Sequence, residues 1–125
     1  MAGQNAINWF EIPVEDFDRA KRFYSAIFAY EMPEWPMEGL RMGVLPHTDA
    51  GVGGTIIHVP GFYKPSQDGV LIYLNGGDDL SVVLDRVEPA GGKVQIAKRL
   101  ITEEIGYMGV FTDSEGNRIA LHSPH

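Results

Sequence analysis

Four side chains of this 125-residue chain could do chemistry together: Glu11, His58, Tyr73 and His122. The two histidines stand 64 residues apart, and Glu11 and Tyr73 stand 62 apart. Both spacings lie close to the 63 residues that separate Phe17 from Leu80 and Ala20 from Val83 in two runs of helical periodicity. Matched spacing of this kind puts the pairs at equivalent places in two halves of a duplicated unit. Strand alternation then lets one carboxylate, two imidazoles and a phenol converge on one cavity. Glu11, His58 and His122 form a donor set that suits Zn, Fe, Mn or Ni and leaves positions open for substrate. Such an ion would serve as a Lewis acid toward a carbonyl compound. Only neutral imidazole ligates, so binding would fail as pH drops toward about 6.5. Without an ion, the same groups offer donors and acceptors to a polar ligand, and Glu11 could act as a base if the cavity strips its water. A metal-free polar cavity is the plainer of the two expectations.

Aromatic residues extend that cavity. Trp9, Tyr73 and Tyr107 are candidates for an apolar cup that stacks on a planar ligand, each with a polar tip. Phe10, Phe17, Phe23 and Phe28 read as core, and Trp9 reads equally as core or as dimer contact. Trp35, between Pro33 and Pro36, could close over a pocket or pack against another subunit. The run Gly51-Val52-Gly53-Gly54 lacks the Gly-Lys-Ser/Thr of a phosphate loop, so its glycines read as a tight turn. His47 and His125 receive no role.

The elements that must position these groups can be read from periodicity. Residues 7–14 alternate as a strand, with Ile7, Trp9 and Glu11 on one face. Asp16 caps a helix whose inward side is Phe17, Ala20, Phe23, Tyr24, Ile27 and Phe28. Prolines make residues 31–39 a loop or an edge. Strands are expected at 41–45 and 55–59, with a glycine-rich loop at 46–54. Residues 60–69 read as a connector. A strand at 70–75 follows, and Asp78 or Asp79 caps a second helix with Leu80, Val83, Leu84 and Val87 inward. Gly91-Gly92 ends that helix. Strands at 93–100, 106–111 and 118–122 close the chain, the last two joined by a turn at 113–117. The order strand, helix, strands therefore occurs twice.

Composition bounds the function. Ten Lys and Arg against 17 Asp and Glu give a net charge of −7, which argues against a phosphate-backbone partner. An apolar content of 44% supports a true core. Cysteine is absent, so disulfides, zinc ribbons and thiol nucleophiles are excluded. No run reaches the roughly 20 apolar residues of a membrane-spanning helix, and the start of the chain carries no basic residue of a signal peptide. The expectation is a cytoplasmic domain with no membrane or nucleic-acid partner.

The run Val14-Glu15-Asp16-Phe17-Asp18-Arg19-Ala20, followed by Phe23-Tyr24-Ser25-Ala26-Ile27-Phe28, resembles the opening helix of the vicinal oxygen chelate superfamily. That superfamily includes glyoxalase I, bleomycin-resistance proteins and extradiol dioxygenases. Residues 111–121, with their acidic-Gly-Asn turn, resemble its closing hairpin, and Gly91-Gly92-Lys93-Val94 its exit from the second helix. The resemblance implies an α+β fold: two βαβββ modules forming a curved, cup-shaped mixed sheet with helices outside, commonly as a homodimer. It implies one domain over residues 1–125, with module one at about 5–60, a connector at 60–69 and module two at about 69–123. Metal-dependent members place four ligands in the cup. Carried over, those positions fall on Trp9 in the first strand, with Glu11 one pleat further, and on Ala120 in the last, with His122 one pleat beyond. The second module's first strand offers Gly69, Leu71 and Tyr73. The glyoxalase-type ligand set is absent as written.

Three functions follow as expectations. The first is a small-molecule-binding protein of the glyoxalase/bleomycin-resistance type, holding its ligand between the modules with Trp9, Glu11, His58, Tyr73, Tyr107 and His122. The second is a divalent-metal-dependent lyase, isomerase or dioxygenase acting on an oxygenated small molecule through Glu11, His58 and His122. The third is an interaction domain whose cup is filled by its own side chains.

Overall fold

The computed structural model describes residues 5–125. Strand β1 (Trp9–Pro13) leads into helix α1 (Phe17–Ile27). Asp16 caps that helix by accepting a 3.0 Å hydrogen bond from the backbone N–H of Arg19, and Asp18 adds negative charge to the first turn. One side of α1 buries Phe17, Ala20, Phe23, Tyr24 and Ile27. Strands β2 (Glu34–Met37), β3 (Leu40–Val44) and β4 (Gly53–His58) complete a four-stranded sheet of order β1-β4-β3-β2, with β1 and β4 parallel. The chain then repeats itself. Strand β5 (Tyr73–Asn75), helix α2 (Ser81–Leu84) and strands β6 (Lys93–Thr102), β7 (Gly106–Thr112) and β8 (Arg118–Ser123) form a second sheet of order β5-β8-β7-β6, with β5 and β8 parallel. The architecture is mixed α+β, as the sequence implies. Among the described residues no helix is long and apolar enough to cross a membrane.

Several boundaries move, each for a local reason. The stretch read as loop or edge holds β2, on the outer side of its sheet, where the missing N–H of Pro36 leaves no inner ladder broken. Strand β4 begins two residues early, so Gly53 and Gly54 lie in the sheet rather than in a turn. The rings of His47 and Phe10 lie where their Cβ atoms would be. The second helix keeps one regular turn. Beyond it, hydrogen-bonded turns carry the chain to Gly92, with Arg86 and Val87 bonded three residues back instead of four. Gly91, at φ +109°, makes the exit.

Each sheet has a helix-covered face and a free face. Phe10, Ile12 and Ile56 lie on the covered side of the first sheet, and Leu74, Phe111, Ile119 and Leu121 on that of the second. Both covered faces and both helices share one continuous core. On the free face of the second sheet Met108, Val110, Ala120 and Ile96 form a separate cluster. A polar latch fixes the modules at one end. The Glu115 carboxylate, in the β7–β8 turn, accepts from the backbone N–H groups of Glu15 (3.0 Å) and Asp16 (2.7 Å) and from Arg19 Nε (2.7 Å). Asn117 Nδ2 donates to the Pro13 carbonyl at 2.7 Å. Negative charge thus sits at the positive end of α1.

Candidate functional site

The strand registers define which positions of the two modules correspond. Thr55 pairs with Glu11 and Val44, while Ala120 pairs with Tyr73 and Val110. Glu11 and Tyr73 are therefore equivalent, as their 62-residue spacing suggests. The closing strands, however, are offset by 65 residues. His58 corresponds to Ser123, and His122 to Ile57. A one-residue difference turns a side chain to the other face of its sheet.

That difference dismantles the expected convergence. His58 lies on the helix-covered face, level with Arg41, whose guanidinium sits 4.3 Å from the Phe17 ring centre. Its Nδ1 lies 2.9 Å from the Val14 carbonyl. Glu11 stands exposed on the free face of the first sheet, level with Thr55. Thr55 is fully buried, and its hydroxyl has no hydrogen-bond partner. His122 lies on the free face of the second sheet, its Nε2 2.6 Å from the Ile105 carbonyl. Glu11, His58 and His122 thus occupy three separate places, and among the described residues no three His, Asp or Glu side chains group as metal ligands. The residues present do not fit the divalent ion that the resemblance brings to mind. Exposure of Glu11 also removes the desolvation that the base role requires.

The aromatic candidates separate as well. Trp9 lies on the free face of the first sheet and stacks on Trp35, with ring centres 5.5 Å apart and planes 13° apart. Tyr107 lies on the helix-covered face of the second sheet, packed against the main core with Lys98 Nζ 4.6 Å over its ring. A cup shared by Tyr107 and Tyr73 is ruled out by their opposite faces.

What the modules do enclose is a cleft of about 1100 Å³. Phe10, Phe28, Leu45 and His47 line it from module one; Ile72, Tyr73, Leu74, Val83 and Arg86 line it from module two. Of the six candidate residues only Tyr73 reaches it. Duplication explains the opening. At the latched end, Phe23 of α1 packs on Phe111 of β7 with ring centres 5.9 Å apart. The equivalent positions at the other end are Arg86 and Leu45, and both line the cleft instead of closing it. Gly53 and Gly54 shape the module-one wall, since only glycine lets His47 and Phe10 lie flat against the strand. His47 Nδ1 is 3.0 Å from the Leu45 carbonyl, and its ring meets Trp9 edge-on at 6.3 Å.

Charge in the cleft is uneven. Asp79 Oδ1 accepts from Lys98 Nζ at 2.8 Å and from the Ser81 hydroxyl and N–H at 2.6 and 2.9 Å. The Lys98 contact, then those from Ser81, hold its carboxyl well below the usual range. Arg86 donates from Nη1 to the Ile27 carbonyl at 3.2 Å. Its place in the cleft, like that of His47, was not legible beforehand. Both sit where turn and helix periodicity marks an outward position, and nothing local signals that another module stands opposite.

Comparison with known proteins bears on the fold. Residues 7–42 match the family described as bleomycin resistance protein-like N-terminal. A putative glyoxylase, CFP32, of Mycobacterium tuberculosis is 27% identical over 122 residues, covering 94% of this chain and 45% of that protein. The chain thus spans about half the length of the curated relatives it matches. Among solved structures, a glyoxalase I mutant from Zea mays superposes with a TM-score of 0.71 at 16% identity, over 93% of this chain and 45% of that one. A glyoxalase/bleomycin resistance protein from Albidiferax ferrireducens gives 0.68 at 15% identity, over 95% and 98%. The chain is thus similar to the bleomycin resistance protein-like family over its first module and shares the fold of glyoxalase/bleomycin resistance proteins. Another fold neighbour, TnmS3 from Streptomyces sp. CB03234, is an antibiotic binding protein (TM-score 0.65, 21% identity, all of both chains). At these identities the structural likenesses speak to the fold.

Proposed function

We propose that this protein binds a largely apolar small molecule in the cleft between its modules. The observation that carries the reading is the cleft itself: about 1100 Å³, walled by Phe10, Phe28, Leu45, Ile72 and Val83 from both halves of the chain. Its lining is of the kind that holds small organic ligands, and its volume lies just above the roughly 300–1,000 Å³ usual for such sites. The antibiotic binding described for the fold neighbour TnmS3 supports the same class of role. A homodimer belongs to this reading. Trp35, Met37 and Tyr73 are each about half exposed, at 47, 54 and 52%, an apolar surface that a second copy would cover. Light scattering at micromolar concentration would return twice the chain mass if the dimer forms and the single-chain mass if it does not.

Titration with N-phenyl-1-naphthylamine, a neutral bicyclic aromatic, tests the cleft. The expected result is saturable binding of one probe per chain. Tryptophan emission should change too, because Trp9 touches His47 at the cleft wall. Val82 lines the cleft and is 52% exposed, so Val82→Trp plugs the opening without emptying the core. Loss of probe binding in that variant supports the reading. Absence of saturable binding in the wild type, or unchanged binding in Val82→Trp, overturns it.

A further inference from the structure

We infer that the cleft selects anionic aromatic molecules and that Arg86 is the residue that sets this preference. The inference rests on the cleft being the binding site and adds the chemical class of its occupant. Arg86 is an exposed side chain in the turns that follow α2 at the cleft, and it forms none of the ion pairs found among the described residues. Its one hydrogen bond goes from Nη1 to the Ile27 carbonyl, which leaves most of the five guanidinium N–H donors free. That single bond anchors the group beside Phe28, at the apolar end of the cleft, without neutralising it. A planar ring lying on Phe10 and Leu45 would bring an acidic substituent to Arg86, and a guanidinium fork suits a carboxylate or sulfonate.

The acidic groups of the lining do not cancel this. Asp79 is already paired with Lys98. Asp78 lies eight residues before Arg86, ahead of the single turn of α2, whereas Arg86 follows that turn. It is exposed, so water screens it from a ligand at the other end. The chain carries net charge −7, so general attraction of anions to the surface is disfavoured. A preference for an anion would therefore report a local group.

The test uses two probes of one ring system on the intact chain. 1-Anilinonaphthalene-8-sulfonate carries an anion, and N-phenyl-1-naphthylamine does not. The sulfonate is expected to bind about tenfold more tightly, and Arg86→Gln to lower the ratio of sulfonate to neutral-probe affinity about tenfold. Arg86→Lys should recover part of the difference. As a second measurement, raising salt from 20 to 500 mM should weaken the sulfonate and spare the neutral probe, which needs no variant to fold. Equal affinities for the two probes, or an unchanged ratio in Arg86→Gln, overturn the inference and leave the cleft standing. If neither probe binds, both the inference and the reading beneath it fall.

Discussion

The Tyr24 hydroxyl donates a 2.7 Å hydrogen bond to Asp113 Oδ2, tying a fully buried residue of α1 to the β7–β8 turn of the other module. The same carboxylate accepts from Asn117 Nδ2 at 2.9 Å through Oδ2, and from the N–H groups of Glu115 (2.8 Å) and Asn117 (2.9 Å) through Oδ1. Burial pushes the Tyr24 hydroxyl well above its ordinary pKa, and the Asp113 charge adds to it. Burial also raises Asp113, against the hydrogen bonds from Asn117 and Tyr24. Tyr24→Phe leaves a buried carboxylate one donor short. The expected cost is about 1–3 kcal/mol, read from the urea midpoint at constant m-value. A shift below about 0.5 kcal/mol would mean that water replaces the hydroxyl and that the bond does not fasten the modules.

Glu115 should govern stability in acid. Burial opposes its ionised form, but the hydrogen bond from Arg19, with those from the Asp16 N–H and the Ser114 hydroxyl, outweighs burial and holds its pKa below the ordinary glutamate value. A depressed pKa in the folded state stabilises the protein above the unfolded value, about 4.3, and that contribution is lost as pH falls through the folded value. Asp113 works in the opposite sense, since its raised pKa makes its ionisation a cost that protonation relieves. Glu115→Gln should therefore flatten the loss of stability below about pH 4.3, measured by urea unfolding from pH 2 to 7. A variant profile parallel to the wild type would assign the acid limb to another carboxylate.

The sequence and the structure diverge at identifiable places. The helix motif from Asp16 to Phe28 and the closing turn at 113–117 are legible because capping, apolar spacing and turn residues are local signals. The equivalence of Glu11 and Tyr73 is legible for the same reason, since the distance from first strand to helix is short in both modules. His58 and His122 mislead because equivalence was measured from the helices, whereas the intervening loops differ in length and shift the closing strands by two further residues, one more than the 64 that separate the histidines. Period-two alternation turns so small an error into the wrong sheet face. A hollow between the modules was legible, but the lining of this cleft was not. The cleft exists because Leu45 and Arg86 fail to do what Phe111 and Phe23 do, and that comparison requires knowing that these positions face each other across the modules.

His58 tests that correction directly. Its side chain bonds the Val14 carbonyl at the connection between β1 and α1, and the equivalent Ser123 hydroxyl receives the Leu80 N–H at 2.9 Å, where α2 begins. Both residues brace a strand-to-helix junction. His58→Ala should cost about 1 kcal/mol of stability, as a typical hydrogen bond does, and leave the affinity for N-phenyl-1-naphthylamine within twofold. A large loss of affinity at full stability would return His58 to the ligand site.

Gly54 links sheet geometry to the shape of the cleft. It pairs with Phe10 across β1 and β4, and the Phe10 ring fills the space a Cβ would take. Because Phe10 also lines the cleft, Gly54→Ala must drive the ring off the strand and into the opening. Overpacking of this kind costs about 1–3 kcal/mol, and the displaced ring should weaken N-phenyl-1-naphthylamine binding at least fivefold. Adding Phe10→Leu to Gly54→Ala removes the obstructing ring and should restore much of both. If Gly54→Ala lowers stability but leaves probe affinity intact, the ring has moved away from the ligand, and the module-one wall of the cleft is set by Phe28 and Leu45 instead.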